Sequence, residues 1–119
     1  MGLVLYTHCS YLGASPDGLV KFEKHKYLLE VNCPFKWRQF TILEACKDKT
    51  FCCYVDDTNT IQLKKSHRYY TQVHGQMGVC QMERCGFVIY TIKDFLVIPI
   101  QFDNSFWESL LMKLKKILY

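Results

Sequence analysis

The chain has 119 residues, half of them apolar or aromatic and 22% charged, which is enough for one domain with a real core and too little for two ordinary ones. That balance excludes a disordered tail, and no run approaches the ~18 apolar residues of a membrane span. The start, Met1 to His8, lacks the basic opening and long apolar run of a secretory leader, so the sequence points to an intracellular, nuclear or cytoplasmic protein without a membrane partner. Fifteen basic residues against eleven acidic ones give a net charge of +4, which suits a polyanionic partner without identifying one.

No repeat, low-complexity tract or linker divides the sequence, so residues 1–119 read as a single domain. Gly2 to Ser10 is a short extended stretch, and Gly13-Ala14-Ser15-Pro16-Asp17-Gly18 is a turn. Leu19 to Glu23 and Lys26 to Cys33 read as a hairpin across Lys24-His25, stopped by Pro34. A helix is expected over Trp37 to Cys46, with Trp37, Phe40, Ile42, Leu43 and Cys46 on its apolar face. Phe51 to Val55 and Thr60 to Leu63 read as strand-like pieces around the turn Asp56 to Asn59. Ser66 to Gln81 returns to helix with Ser66 as N-cap, and Gly75 and Gly78 suit close approach by a neighbour.

Phe87 to Thr91 and Phe95 to Phe102 are β-prone and joined through Lys93-Asp94. Asp103 to Tyr119 closes the chain as an amphipathic helix with Trp107, Leu110, Leu111, Leu114 and Leu118 on one stripe. Lys113, Lys115 and Lys116 beside it read as a solvated last turn that suits the helix dipole. This order of elements indicates an α/β fold with a mixed central β-sheet flanked by helices.

Seven cysteines without a secretory leader are expected to be reduced. None has the Cys-x2-Cys spacing of a zinc knuckle, and adjacent Cys52 and Cys53 would point to opposite faces of a strand, so small buried thiols are the better reading. The candidate chemistry lies in the first third. Glu30 is an acid inside the apolar run Tyr27 to Val31, where it is expensive unless paired or metal-bound. Asp17 sits at the mouth of the preceding strand, and hairpin pairing can bring the start of that strand beside the end of the next. Two carboxylates at one sheet end, with backbone carbonyls nearby, suit a hard divalent cation. Taken alone, an Asp in a Pro-Asp-Gly turn is ordinarily turn chemistry and a strand-edge Glu is ordinarily solvated.

Three ordered motifs, Gly13 to Val20, Leu29 to Pro34 and Tyr70 to Met77, resemble those of the YqaJ-like viral recombinase family, which belongs with the phage lambda-type alkaline exonucleases in the PD-(D/E)XK nuclease superfamily. The resemblance runs from about Leu12 to the C-terminal helix. It implies a restriction-endonuclease-like core and hydrolysis of DNA phosphodiesters dependent on Mg2+ or Mn2+, of exonuclease type, in viral or mobile-element recombination or repair. By position, Asp17 and Glu30 match the metal-binding acids, the Val31 carbonyl matches the backbone ligand, and Gln72 matches a glutamine on the helix beside the site, with Gln76 one turn later on the same face.

The main departure is Asn32, which stands where the family carries a lysine that positions the attacking water and offsets developing charge. An amide can hydrogen-bond water but carries no charge, which makes a catalytically degenerate DNA-binding relic the alternative reading. Lys36 could reach back from beyond Pro34, although a solvated first-turn lysine is the simpler reading. The resemblance also implies an upstream helical segment, which this chain is expected to lack, and relatives that can form oligomers. The basic segment Lys64 to Tyr70 offers Lys64, Lys65 and Arg68 to phosphates, with Gln76 further along the helix. Such contacts are salt-dependent and independent of base sequence.

Overall fold

The computed structural model describes residues 3–6, 18–22 and 25–118. Among the described residues, seven strands and three α-helices follow one another as β1 (Leu3–Tyr6), β2 (Gly18–Phe22), β3 (His25–Asn32), α1 (Ile42–Ala45), β4 (Cys53–Val55), β5 (Ile61–Leu63), α2 (Arg68–Cys80), β6 (Arg84–Tyr90), β7 (Phe95–Gln101) and α3 (Asn104–Leu118). Five strands form one sheet in the order β1-β2-β3-β6-β7, while β4 and β5 pair separately as a hairpin. β3 and β6 are parallel and the other neighbours antiparallel, so the sheet is mixed, as the order of elements indicates. The stretch from α1 to α2 is the crossover that a parallel pair requires.

Alternation decides which side of the sheet is core. Leu28, Cys85 and Ile100 lie in one cross-strand row and Glu30, Phe87 and Ile98 in the next. All six are buried, on the face that α2 covers through Tyr70, Val73 and Met77. Phe51, Ile42 and Ala45 close the core from the α1 side, where Trp37 meets Phe51 edge-on at 5.6 Å. Pro99 in β7 is compatible with the ladder because β7 is an edge strand.

The helix expected over Trp37 to Cys46 is broken. A 3-10 turn at Phe35–Trp37 follows Pro34, and α1 begins afresh after Thr41 in extended conformation. The break has local and distant causes. Thr41 and Glu44 form a capping box, in which the Thr41 hydroxyl accepts from the Glu44 N–H at 3.1 Å and the Glu44 carboxylate accepts from the Thr41 N–H at 2.8 Å. The β6–β7 turn then ties both sides of the break: Asp94 accepts from the Ile42 N–H at 3.1 Å, and the Ile92 N–H donates to the Arg38 carbonyl at 2.9 Å.

α2 starts two residues later than Ser66. His67, not Ser66, is its N-cap, with the ring Nδ1 accepting from the Tyr69 N–H at 3.1 Å. The helix ends at Gln81, which adopts the left-handed conformation at φ 56° while the Met82 N–H bonds back to the Met77 carbonyl at 2.9 Å. Gly78 meets the expectation of close approach and Gly75 does not. A Cβ at Gly78 would lie 2.5 Å from the Trp107 ring, whereas one at Gly75 would meet nothing within 4 Å. His74 pins α3 to α2: its Nε2 accepts from the Asp103 N–H at 3.0 Å, so the proton sits on Nδ1, which bonds the Tyr70 carbonyl at 3.1 Å.

Cys52 and Cys53 depart from the expected opposite faces. β4 begins at Cys53, so Cys52 lies in the bend before it, and both thiols are buried with their sulfurs 3.7 Å apart. The described cysteines are all free thiols, as expected.

Candidate functional site

Glu30 occupies the inward face of β3 and is 6% exposed. Its neighbours in the row are the buried Phe87 and Ile98. A carboxylate in such a place requires hydrogen bonds. One comes from α2, where the Gln76 side-chain N–H donates to Glu30 Oε1 at 2.7 Å. The other end of that amide, Gln76 Oε1, is buried and without a hydrogen-bond partner among the described residues. An orphaned acceptor beside a buried carboxylate is an all-oxygen donor pair, which suits a hard divalent cation or an ordered water.

The hairpin register bears on the first acid. Gly18, the residue after Asp17 in sequence, pairs with Leu29, the residue before Glu30, so β2 starts where β3 approaches its acid. Asp17 itself lies outside the described residues. Val31 faces the opposite side of the sheet at 41% exposure, so its side chain does not serve a ligand on the Glu30 side. Asn32 returns to the Glu30 face one pleat further on, half-buried, in the row with Ile89. Lys36 does not reach back; its ammonium lies 5.0 Å from the centre of the Trp37 ring. Among the described residues no three His, Cys, Asp or Glu side chains converge as a metal site.

The Cys85 thiol, which feels the acid, is chemically quiet. Burial first, and the Glu30 charge second, push Cys85 up to about 12, so it stays protonated and is neither nucleophile nor thiolate ligand at neutral pH. The chemistry of this corner therefore belongs to oxygen and amide groups.

α2 arranges its polar residues as a track. Arg68, Gln72 and Gln76 are spaced four residues apart, on one face, and the 1.5 Å rise per residue carries the line about 12 Å from the basic segment to Glu30. Arg68 and Gln72 are exposed and Gln76 is half-buried. The structure therefore brings Gln76, not Gln72, against the acid. Periodicity put both on one face, but which turn lies over β3 depends on how the helix is docked, and that is fixed by Tyr69 against Phe87 at 5.8 Å and by Gly78 under Trp107.

At the start of the track Lys65 is exposed and Arg68 lies 5.5 Å from the Tyr69 ring centre. Lys64 is partly committed, since its ammonium donates to the Lys49 carbonyl at 2.7 Å. Burial, then the neighbouring Arg68 and Lys64 charges, lower the His67 pKa and keep the ring neutral for its capping role. His67 thereby occupies the Tyr69 amide that an anion would otherwise find there.

No protein-family model matches the sequence, and no curated protein matches significantly. Among solved structures, the crystal structure of LHK-Exo in complex with dAMP superposes over 99% of this chain with a TM-score of 0.64 and 23% sequence identity. The fold resembles that of LHK-Exo. The chain spans 56% of LHK-Exo, about half of its length. The α/β architecture with a mixed sheet is thus found in a solved protein as well as expected from the order of elements. No helix among the described residues is long and apolar enough to cross a membrane.

Proposed function

We propose that the chain is a metal-dependent DNA nuclease domain of the phage lambda-type exonuclease kind, akin to the YqaJ-like recombinases of the PD-(D/E)XK superfamily and serving viral or mobile-element recombination or repair. The observation that carries this reading is Glu30, a carboxylate buried in the sheet and held by Gln76 at 2.7 Å, in a fold resembling that of LHK-Exo, which binds dAMP. A buried acid with an amide clamp is costly as mere structure and useful as a preorganised ligand.

Asp17, Glu30 and the Val31 carbonyl would hold Mg2+ or Mn2+, and the all-oxygen pair of Glu30 and Gln76 Oε1 fits a hard cation of that class. When bound, such a cation lowers the pKa of water and offsets charge on a phosphodiester being cleaved. The chain's own groups then have distinct tasks. Gln76 fixes the rotamer of Glu30 and leaves its oxygen to accept a hydrogen bond from a water at the acid. Asn32, on the same sheet face, hydrogen-bonds water without supplying charge. Lys65 and Arg68, with Lys64, hold phosphates and let the strand follow the face of α2 towards Glu30.

The neutral Asn32 favours a second reading, a domain that binds DNA and cleaves it slowly or not at all. One experiment separates the two: release of nucleotides from linear duplex with Mg2+ by the parent and by Asn32→Lys, with Asp17→Ala and Glu30→Ala as controls. An active nuclease releases nucleotides in the parent and loses that activity in both alanine variants. A degenerate one is silent until lysine is restored, and binding without cleavage in every variant would refute the nuclease reading.

A further inference from the structure

Tyr54 pairs with Gln62 across the β4–β5 hairpin, which puts both side chains on one face, and Asp56, two residues beyond Tyr54, follows on the same side. The hairpin, the start of α2 and β7 enclose a cleft of about 320 Å³. Its apolar lining comes from Leu63, Ile98 and Ile100, and the exposed Lys65 stands on its rim. That volume is at the small end of ligand sites and suits one flat heterocycle with a short tail. Ile98 shares a cross-strand row with Phe87 and Glu30, so two strand spacings of about 4.8 Å each separate the cleft from the acid. The cleft is therefore a different place from the Glu30 corner.

Its polar groups are set to be met by a ligand. Tyr70 is 6% exposed and lines the cleft, yet its hydroxyl has no hydrogen-bond partner among the described residues and is not sealed in protein, so it opens on the cleft. Burial first, and the Asp103 charge second, raise the Tyr70 pKa, and the phenol stays a donor at neutral pH. Asp56 is the complementary acceptor. Its Oδ1 takes the Thr58 hydroxyl at 2.7 Å, the Thr58 N–H at 2.9 Å and the Thr60 N–H at 3.0 Å, and these bonds hold the carboxyl below the usual carboxylate range. Its Oδ2 takes only the Gln62 amide, at 3.3 Å, and keeps capacity for another donor. Tyr54, 41% exposed, offers a ring face, and the Lys65 ammonium has no hydrogen bond or ion pair among the described residues.

A matching ligand presents an N–H donor and an acceptor on the edge of one flat ring and carries an anion at its other end. Adenine, cytosine and guanine nucleotides do so, because each sets an exocyclic amine beside a ring nitrogen that accepts. Thymine offers one N–H between two carbonyl oxygens, which a carboxylate repels. We propose that this cleft binds an amino-bearing base of a nucleotide, which stacks on Tyr54, donates to Asp56 Oδ2, accepts from the Tyr70 hydroxyl and leaves its phosphate to Lys65. Such a site rests on the DNA reading of the chain and adds to it, since phosphate contacts carry no base information. Lys65 belongs both to the cleft and to the basic segment that opens the α2 track, so a strand held there brings a base to the cleft. A free mononucleotide offers the same chemistry.

Titrations of the whole chain in EDTA, which withholds any divalent cation, test this with deoxyadenosine, deoxycytidine and thymidine monophosphates and with short single-stranded homo-oligomers of each. The adenine and cytosine probes are expected to bind about tenfold more tightly than the thymine probes, as one base-edge contact gives. Asp56→Asn puts an amide donor where the acceptor stood and should abolish that preference, which mere loosening of the hairpin would not do. Tyr54→Leu should weaken the adenine probes about tenfold while Tyr54→Phe, which keeps the ring, binds as the parent does. If circular dichroism shows that Asp56→Asn has not folded, the Tyr54 pair decides, and equal binding in Leu and Phe variants overturns the proposal. Preference among the monophosphates assigns the cleft to free nucleotides, and preference confined to the oligomers assigns it to the strand on α2. DNA binding without base preference, or a preference that survives Asp56→Asn, overturns the proposal and leaves the DNA reading standing, whereas no binding of any probe refutes both.

Discussion

Gly75 and Gly78 lie one turn apart on the same helix, and substituting each by alanine should move stability in opposite directions. Alanine in a helix interior is favoured over glycine by about 1 kcal/mol, so Gly75→Ala, where the new Cβ meets nothing within 4 Å, should raise stability by up to that amount. At Gly78 the same gain is opposed by a Cβ only 2.5 to 2.7 Å from three atoms of the Trp107 ring. The ring also packs against Phe102, with centroids 6.1 Å apart, so it cannot swing away without loosening the start of α3. Overpacking of this kind costs typically 1–3 kcal/mol, which leaves Gly78→Ala destabilised by up to about 2 kcal/mol net. Urea denaturation at constant slope reads both effects as shifts of the midpoint. Equal shifts in the two variants would refute the close docking of α3 on α2, and Gly78→Ala with Trp107→Leu should recover much of the loss.

Three further outcomes follow from the same geometry. His74 is wholly buried and its pKa is lowered, chiefly by burial, so its contribution to stability is complete above the ordinary histidine value near 6.5 and is lost as pH falls through its lower folded value. Denaturation midpoints against pH should show this fall, and His74→Gln should flatten it; His67, also depressed, acts in the same direction, and a fall as steep in the variant as in the parent would contradict the neutral bridge between Tyr70 and Asp103. DNA affinity should drop steeply with salt, and the combined Lys64→Ala, Lys65→Ala and Arg68→Ala change should make the slope of log affinity against log salt shallower by about one unit per lost contact, Lys64 contributing least because it is tied to Lys49. Asn32→Lys should raise cleavage by roughly 100-fold to 1,000-fold without altering metal affinity, and an inert variant that still binds metal would place the defect elsewhere.

The strands were legible because their signal is local. The β-prone runs Phe87 to Thr91 and Phe95 to Phe102 announce β6 and β7 within about three residues, and the stripe from Trp107 to Leu118 announces α3. What escaped depends on contacts distant in sequence or on geometry finer than periodicity. The break before α1 rests partly on Asp94, 52 residues from the amide it binds. The cap at His67 rather than Ser66 is a competition between adjacent side chains that differ by one helical position. At the site, the acid at Glu30 stood out as a charge in an apolar run, and its burial agrees with that. Gln76 was visible as a residue but not as the partner of Glu30, because a stripe of Arg68, Gln72 and Gln76 does not reveal which turn meets the sheet.

The central claim, that Glu30 is a preorganised ligand for a divalent cation, is tested most directly by calorimetric titration of the purified chain with Mg2+ and Mn2+. Binding is predicted in the parent, its loss in Glu30→Ala and Asp17→Ala, and weakened binding in Gln76→Leu, which removes the clamp and the orphaned oxygen while leaving the carboxylate. Unchanged affinity in Glu30→Ala would contradict the account.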